Sequence, residues 1–160
     1  MDKAKSPAVS AFWEEFRRAH GLPEQPYDVC RMGDGPDMAD ALLAVILTGP
    51  KRATACLLRD VEWGRETMAR VGGHVVVLDG SDQPRVIWCT KTVEVKPLNH
   101  VDDAFAWDEG EGERTRDDWL AMHKRYFERR AAAEGFAFDD SLPAVFERFA
   151  VVWPIDDADS

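Results

Sequence analysis

Three groups of side chains in this chain combine residue type and spacing in a way that could do chemistry. The first is Gly49-Pro50-Lys51-Arg52-Ala53-Thr54, where a glycine closes an apolar stretch and a cation and a hydroxyl follow three residues apart. A hydroxyl needs a base to become a nucleophile, and a lysine can serve when its surroundings leave it neutral. The plain alternative is that Lys51 caps a helix C-terminus and Thr54 fills a strand position. The second group is Asp108, Glu109, Glu111 and Glu113, four carboxylates within six residues. Crowded carboxylates repel, which can raise one of them and create an acid/base group. The run also reads as a solvated loop. A divalent-metal site would need an alternating Asp/Asn pattern and nearby ligands that are missing here. The third group is Trp119 and His123, one turn apart on one helical face. A lone helical histidine is more often structural than catalytic, and a tryptophan can either join a core or offer a stacking surface to a base.

These groups need elements to hold them. Val9–His20 places Val9, Phe12, Trp13 and Phe16 on one helical stripe, with Ser10 as a cap and Gly21 and Pro23 as stops. Residues 21–35 read as a loop. Pro36–Leu47 is a helix with Met38, Leu42, Val45 and Ile46 on its apolar face. Arg52–Leu58 is a short apolar strand, and Val61–Val71 a third helix. His74–Leu78 and Arg85–Val95 form a hairpin around the Asp79–Asp82 turn. Val101–Trp107 is a short helical piece, and Thr115–Glu134 is the clearest helix, capped by Thr115. Ala144–Trp153 closes the chain as a strand that alternates Val145, Glu147, Phe149 and Val151 against its neighbours. The mixed order of helices and strands predicts an α+β architecture, because regular βαβ alternation is absent. Residues 1–8 are expected as a flexible tail, 9–153 as one domain and 154–160 as a second tail.

Composition narrows the function. The chain has 160 residues and a net charge of −10. That charge disfavours broad binding to a phosphate backbone, so a nucleic-acid ligand would need a local basic pocket. Cys30, Cys56 and Cys89 are odd in number and form no CxxC pair, which argues against a disulfide framework or a zinc site. No cofactor and no metal is expected. No apolar run is long enough for a membrane span and no signal segment is recognisable, so a cytoplasmic location is the default and no membrane partner is expected.

Taken together the segments resemble the ASCH family in its longer bacterial form. The resemblance covers residues 9–153. It rests on Gly49, Lys51 and Thr54 as G-x-K-x-x-T, the hairpin strand VIWCTKTVEV, the run from Phe105 to Gly112, the W-x-x-x-H helix with Trp119 and His123, and the closing Glu147-Arg148-Phe149. It implies a PUA-like mixed β-barrel with flanking helices. Some short members of that family hydrolyse N4-acetylcytidine with a lysine, a threonine and a glutamate. Carried over, these are Lys51 as base, Thr54 as nucleophile and Glu109 as acid/base, with Glu111 as the alternative register. Arg52, Arg59, Glu111, Trp119 and His123 are the expected substrate contacts. The implied ligand is a nucleoside or RNA-derived small molecule, or single-stranded RNA. The resemblance also admits two rival readings, a ribonuclease on single-stranded RNA and a non-catalytic RNA- or nucleotide-binding module.

Overall fold

Runs of β-branched and aromatic side chains set the frame. In the computed structural model, which describes residues 5–159, the strands are β1 (Asp28–Cys30), β2 (Ala53–Leu57), β3 (His74–Leu78), β4 (Pro84–Pro97) and β5 (Pro143–Trp153). The helices are α1 (Pro7–Ala19), α2 (Pro36–Thr48), α3 (Leu58–Glu62), α4 (Asp103–Glu109) and α5 (Arg116–Glu134). The strands make one sheet in the order β1-β3-β4-β5-β2. Only the β1–β3 pairing is parallel. Register shifts in β4 at Ile87/Trp88 and Thr90/Thr92 add local twist. The α+β, barrel-like architecture expected from the sequence is therefore present as a curled half-barrel, with β1 and β2 at its two edges.

Period-2 alternation sorts the helices onto the sheet. Val76 and Leu78 of β3 pack under Val9, Trp13 and Phe16 of α1. The intervening Val77 faces Leu43 and Ile46 of α2. On β5, Ala144 and Phe146 join Phe105, Trp119 and Phe127 from α4 and α5, while Phe149 and Val151 turn toward α2. Each such side chain contributes roughly 1.5–3 kcal/mol through burial.

Several local expectations shift. Helix α1 starts at Pro7, and Ser6 rather than Ser10 accepts the capping bond from the Val9 N–H at 3.2 Å. Proline suits that first position because its missing N–H has no partner there anyway. The buried stripe of α2 is Ala39, Leu43 and Ile46, while Met38 and Leu42 line a cavity instead. The third helix is only α3, because Gly64 at φ 76 ends it and the Asp60 carbonyl accepts the Arg65 and Glu66 N–H groups. Strand β1 falls in the expected loop, being too short to show a pattern. The expected C-terminal tail holds a 3-10 turn at Ile155–Asp157, and Asp159 pairs with Arg52 at 2.9 Å and accepts from the Val151 N–H at 2.8 Å. Residues 1–4 of the expected N-terminal tail lie outside the described residues. Among the described residues no helix is long and apolar enough to cross a membrane.

One buried ion pair ties the two ends of the site's framework. Asp60 of α3 is 1% exposed and takes a bidentate contact from Arg130 of α5 at 2.8 and 3.0 Å. Removing Asp60 leaves Arg130 with only Glu134, at 2.9 Å, as a carboxylate partner, and breaking a buried pair costs about 3–5 kcal/mol. Asp60→Asn should therefore lower the melting temperature by roughly 6–20 °C for a domain of this size. An unchanged thermal transition would contradict a role for this pair in joining α3 to α5.

Candidate functional site

Lys51 comes from the turn between α2 and β2, and its side chain is almost fully enclosed, with 1% residue exposure. Its Nζ donates to the Ala53 carbonyl at 2.9 Å and to Glu111 Oε2 at 2.8 Å, and lies 3.8 Å from Glu109 Oε1. An ammonium has three N–H donors, and each of the three has an acceptor or an anion before it.

Glu109 ends α4 and is itself buried. Its Oε2 accepts the Trp119 indole N–H at 2.6 Å, and its Oε1 lies 3.1 Å from His123 Nε2. The His123 Nδ1 faces the Trp119 carbonyl at 2.8 Å. A carbonyl and a carboxylate only accept, so both ring nitrogens must donate and His123 is an imidazolium. Burial opposes this, but the Glu109 charge and hydrogen bond outweigh it and hold His123 above its ordinary value. For Glu109, burial pushes the carboxyl up, and the charges of Lys51 and His123 more than reverse that, holding it well below the usual carboxylate range. Glu111 goes the other way. Burial raises it, Lys51 opposes, and the neighbouring Glu109 carboxylate adds to the rise. Two glutamates two residues apart thus have opposite protonation behaviour.

Backbone geometry brings the acidic run onto Lys51. Gly110 caps α4 in the left-handed region at φ 72, and a Cβ there would lie 2.8 Å from the Lys51 nitrogen and 2.9 Å from the Pro50 carbonyl carbon. The Arg52 N–H donates to the Asp108 carbonyl at 2.7 Å, and Asp108 Oδ2 accepts from Arg148 of β5 at 2.9 Å. The end of α4 is thereby pressed against the turn that carries Lys51.

These groups open onto a cavity of about 390 Å³, in the range of small-molecule sites. Lys51, Thr54, Glu109, Glu111 and His123 all line it. Arg52, Arg59 and Trp119 do not. Arg52 is spent on the Ile46 carbonyl and Asp159. Arg59 lies over the Phe136 ring at 3.6 Å and bonds Asp60. Trp119 is buried in the core, stacks on His123 at 3.7 Å and orients Glu109. His74 also lies away from the cavity lining, against Trp13 and Phe16.

Sequence reasoning missed several lining groups, of which Glu147 is the most enclosed carboxyl. Glu147 of β5 is buried at the cavity, with Trp88 Nε1 donating to its Oε2 at 3.0 Å and Thr90 Oγ1 at 2.5 Å. The signal was present, since Glu147 is the one charged residue on the alternating face Val145, Glu147, Phe149, Val151. The Cys56 thiol also lines the cavity, and burial, aided by the Glu66 and Asp60 charges, pushes it up to about 12.

A family model described as ASCH domain matches residues 28–153. Protein EF3133 from Enterococcus faecalis, known from a crystal structure, is 32% identical with a TM-score of 0.81, over 91% of this chain and 88% of that one. An ASCH domain from Lactobacillus crispatus is 25% identical with a TM-score of 0.78, over 91% of this chain and 94% of that one. No curated protein matches the chain.

Two tests follow from the site itself. Gly110→Ala should destabilise by roughly 1–3 kcal/mol through backbone strain, plus the displacement of Lys51. Gly21→Ala, at φ 63 with nothing within 4 Å, should incur only the strain. Equal midpoints for the two variants in urea would contradict the close approach. The second test is the pH dependence of stability. The depressed Glu109 stabilises above its ordinary 4.5 and loses this as pH falls below it. The raised His123 stabilises below its ordinary 6.5 and loses this as pH rises above it. Melting temperature should peak between these values, and His123→Gln should flatten the alkaline side. An alkaline limb unchanged by that substitution would contradict the imidazolium.

Proposed function

The chain belongs to the ASCH-domain family, and from that membership we propose that it is an amidohydrolase that removes an acyl group from N4-acylated cytidine or cytosine. The observation that carries this reading is that Lys51 Nζ meets Glu111 at 2.8 Å on the wall of the cavity that Thr54 also lines. Thr54 is the nucleophile, and its hydroxyl attacks the acyl carbon. Cys56 is another candidate nucleophile in the cavity, and its raised thiol holds little thiolate at neutral pH.

The occupied donors of Lys51 shape the proton path. Lys51 can accept the Thr54 proton only as it passes one of its own on. Glu111, held above the usual carboxylate range, is the acceptor for that proton. Glu109, ionised and fully hydrogen-bonded, is the fixed counter-charge that positions Lys51 and His123. The acid/base role therefore goes to Glu111 rather than Glu109, following the rule that environments driving two carboxyls apart assign their tasks.

One observation favours a phosphate-bearing substrate over a free nucleoside. Arg125 and Arg129 lie one turn apart on α5 at the cavity, and neither pairs with a carboxylate among the described residues. N4-acetylcytidine within single-stranded RNA, or strand cleavage itself, would use them.

The test is release of acetate from N4-acetylcytidine and from acetylated single-stranded RNA, followed by chromatography. Wild type should turn over. Thr54→Ala, Lys51→Ala and Glu111→Gln should each lose about 10²–10⁴-fold in kcat. Intact acetyl groups after hours with folded wild type, both on free N4-acetylcytidine and on acetylated single-stranded RNA, would overturn the deacylase reading. RNA strand cleavage that Lys51→Ala abolishes would establish the nuclease instead.

A further inference from the structure

Glu147 is a buried carboxyl of the cavity that the deacylase reading leaves without a task. It stands directly across from Thr54 in the antiparallel β2–β5 register. Such partners point to the same face with Cβ atoms about 4.5–5.5 Å apart. Its Oε2 is fully used, because an indole N–H can only donate and the Thr90 hydroxyl donates to the same oxygen. Its Oε1 accepts no hydrogen bond among the described residues, although Glu147 lines the cavity. With Trp88 and Thr90 both donating to Oε2, the free position for a proton on this carboxyl is Oε1, at the cavity that Thr54 also lines.

Resting on the deacylase reading, we infer that Glu147 is a catalytic residue whose Oε1 proton is delivered to the ring nitrogen N3 of the acylated cytosine. N3 is conjugated with the scissile N4 through C4. As the Thr54 Oγ–acyl carbon bond forms and the carbon–N4 bond breaks, the electron pair moves onto N4 and into the ring. N3 takes the Glu147 proton, and the base leaves as its neutral imino tautomer instead of an anion. The Thr54 proton passes through Lys51 to Glu111. Water then cleaves the Thr54 ester, returns a proton to Thr54 and releases the acid. The tautomer relaxes to cytosine, and Glu147 is reprotonated by the proton held at Glu111 through solvent. Burial raises Glu147, the Thr90 and Trp88 hydrogen bonds oppose this, and the Asp28 and Glu66 charges reinforce the rise.

The experiment compares N4-acetylcytidine with its 3-deaza analogue, in which C–H replaces N3. Wild type should process the analogue about 10²–10³-fold more slowly. Glu147→Gln keeps an N–H donor at the same place but has no proton to transfer. It should lose kcat by a similar factor on N4-acetylcytidine, with KM nearly unchanged and little further loss on the analogue. A purely structural role predicts that the variant slows both substrates equally, and equal processing of both substrates by wild type would overturn the assignment without any variant. Binding of cytidine and 3-deazacytidine is measured in parallel by calorimetry. If no substrate turns over but wild type binds cytidine at least tenfold more tightly than 3-deazacytidine, and Glu147→Leu erases the difference, then the deacylase reading fails while the Glu147–N3 contact stands. No turnover and no binding preference would overturn both.

Discussion

The charge of Lys51, taken out of water at the end of α2, is the constraint on which the site depends. Enclosing an ammonium is costly unless acceptors and counter-charges replace its hydration. The Ala53 carbonyl, Glu111 and Glu109 do so. Glu109 is buried in turn, and it needs the Trp119 indole and the His123 ring. Each requirement recruits another element. Trp119 and His123 fix the face of α5, and Gly110 lets α4 approach the Lys51 backbone closely. The curl of the sheet then brings β2, β4 and β5 to one cavity wall.

Charge and function fit together through that chain of compensation. The protein carries a net −10, yet its cavity combines one buried cation, an imidazolium, and arginines on α5 at the cavity. A small ligand meets local positive charge, while a long polyanion meets an acidic surface. Two carboxyls with raised values, Glu111 and Glu147, line the cavity from different elements, the turn after α4 and strand β5. Thr54 lies on the strand between the Lys51 turn and Glu147. Under the proposed deacylase reading, these two carboxyls handle the protons at the two ends of the amide.

Much of this was legible in the sequence, for identifiable reasons. The hairpin, α1, α2, α5 and β5 follow from apolar periodicity, which packing enforced. Lys51 and Thr54 stand in a motif whose turn geometry fixes their direction. The choice between Glu109 and Glu111 could not be read, because a left-handed residue at Gly110 breaks the helical phase between them. Arg52 and Arg59 looked like ligand contacts from their charge, but tertiary partners Asp159, Phe136 and Asp60 claim them. Trp119 looked like a stacking surface, and its indole N–H was needed by Glu109 instead. Strand β1 escaped notice because its partner β3 is remote in sequence and its three residues carry no period.

The division between a fixed and a working carboxyl is tested most directly by titrating the side-chain carboxyl carbons of protein labelled with 13C glutamate. Assignment would use Glu109→Gln and Glu111→Gln. The expected result is that Glu109 stays ionised well below the ordinary 4.5, while Glu111 takes up its proton above it. A Glu109 that titrates at or above 4.5, with Glu111 below it, would contradict the assignment and move the acid/base role back to Glu109.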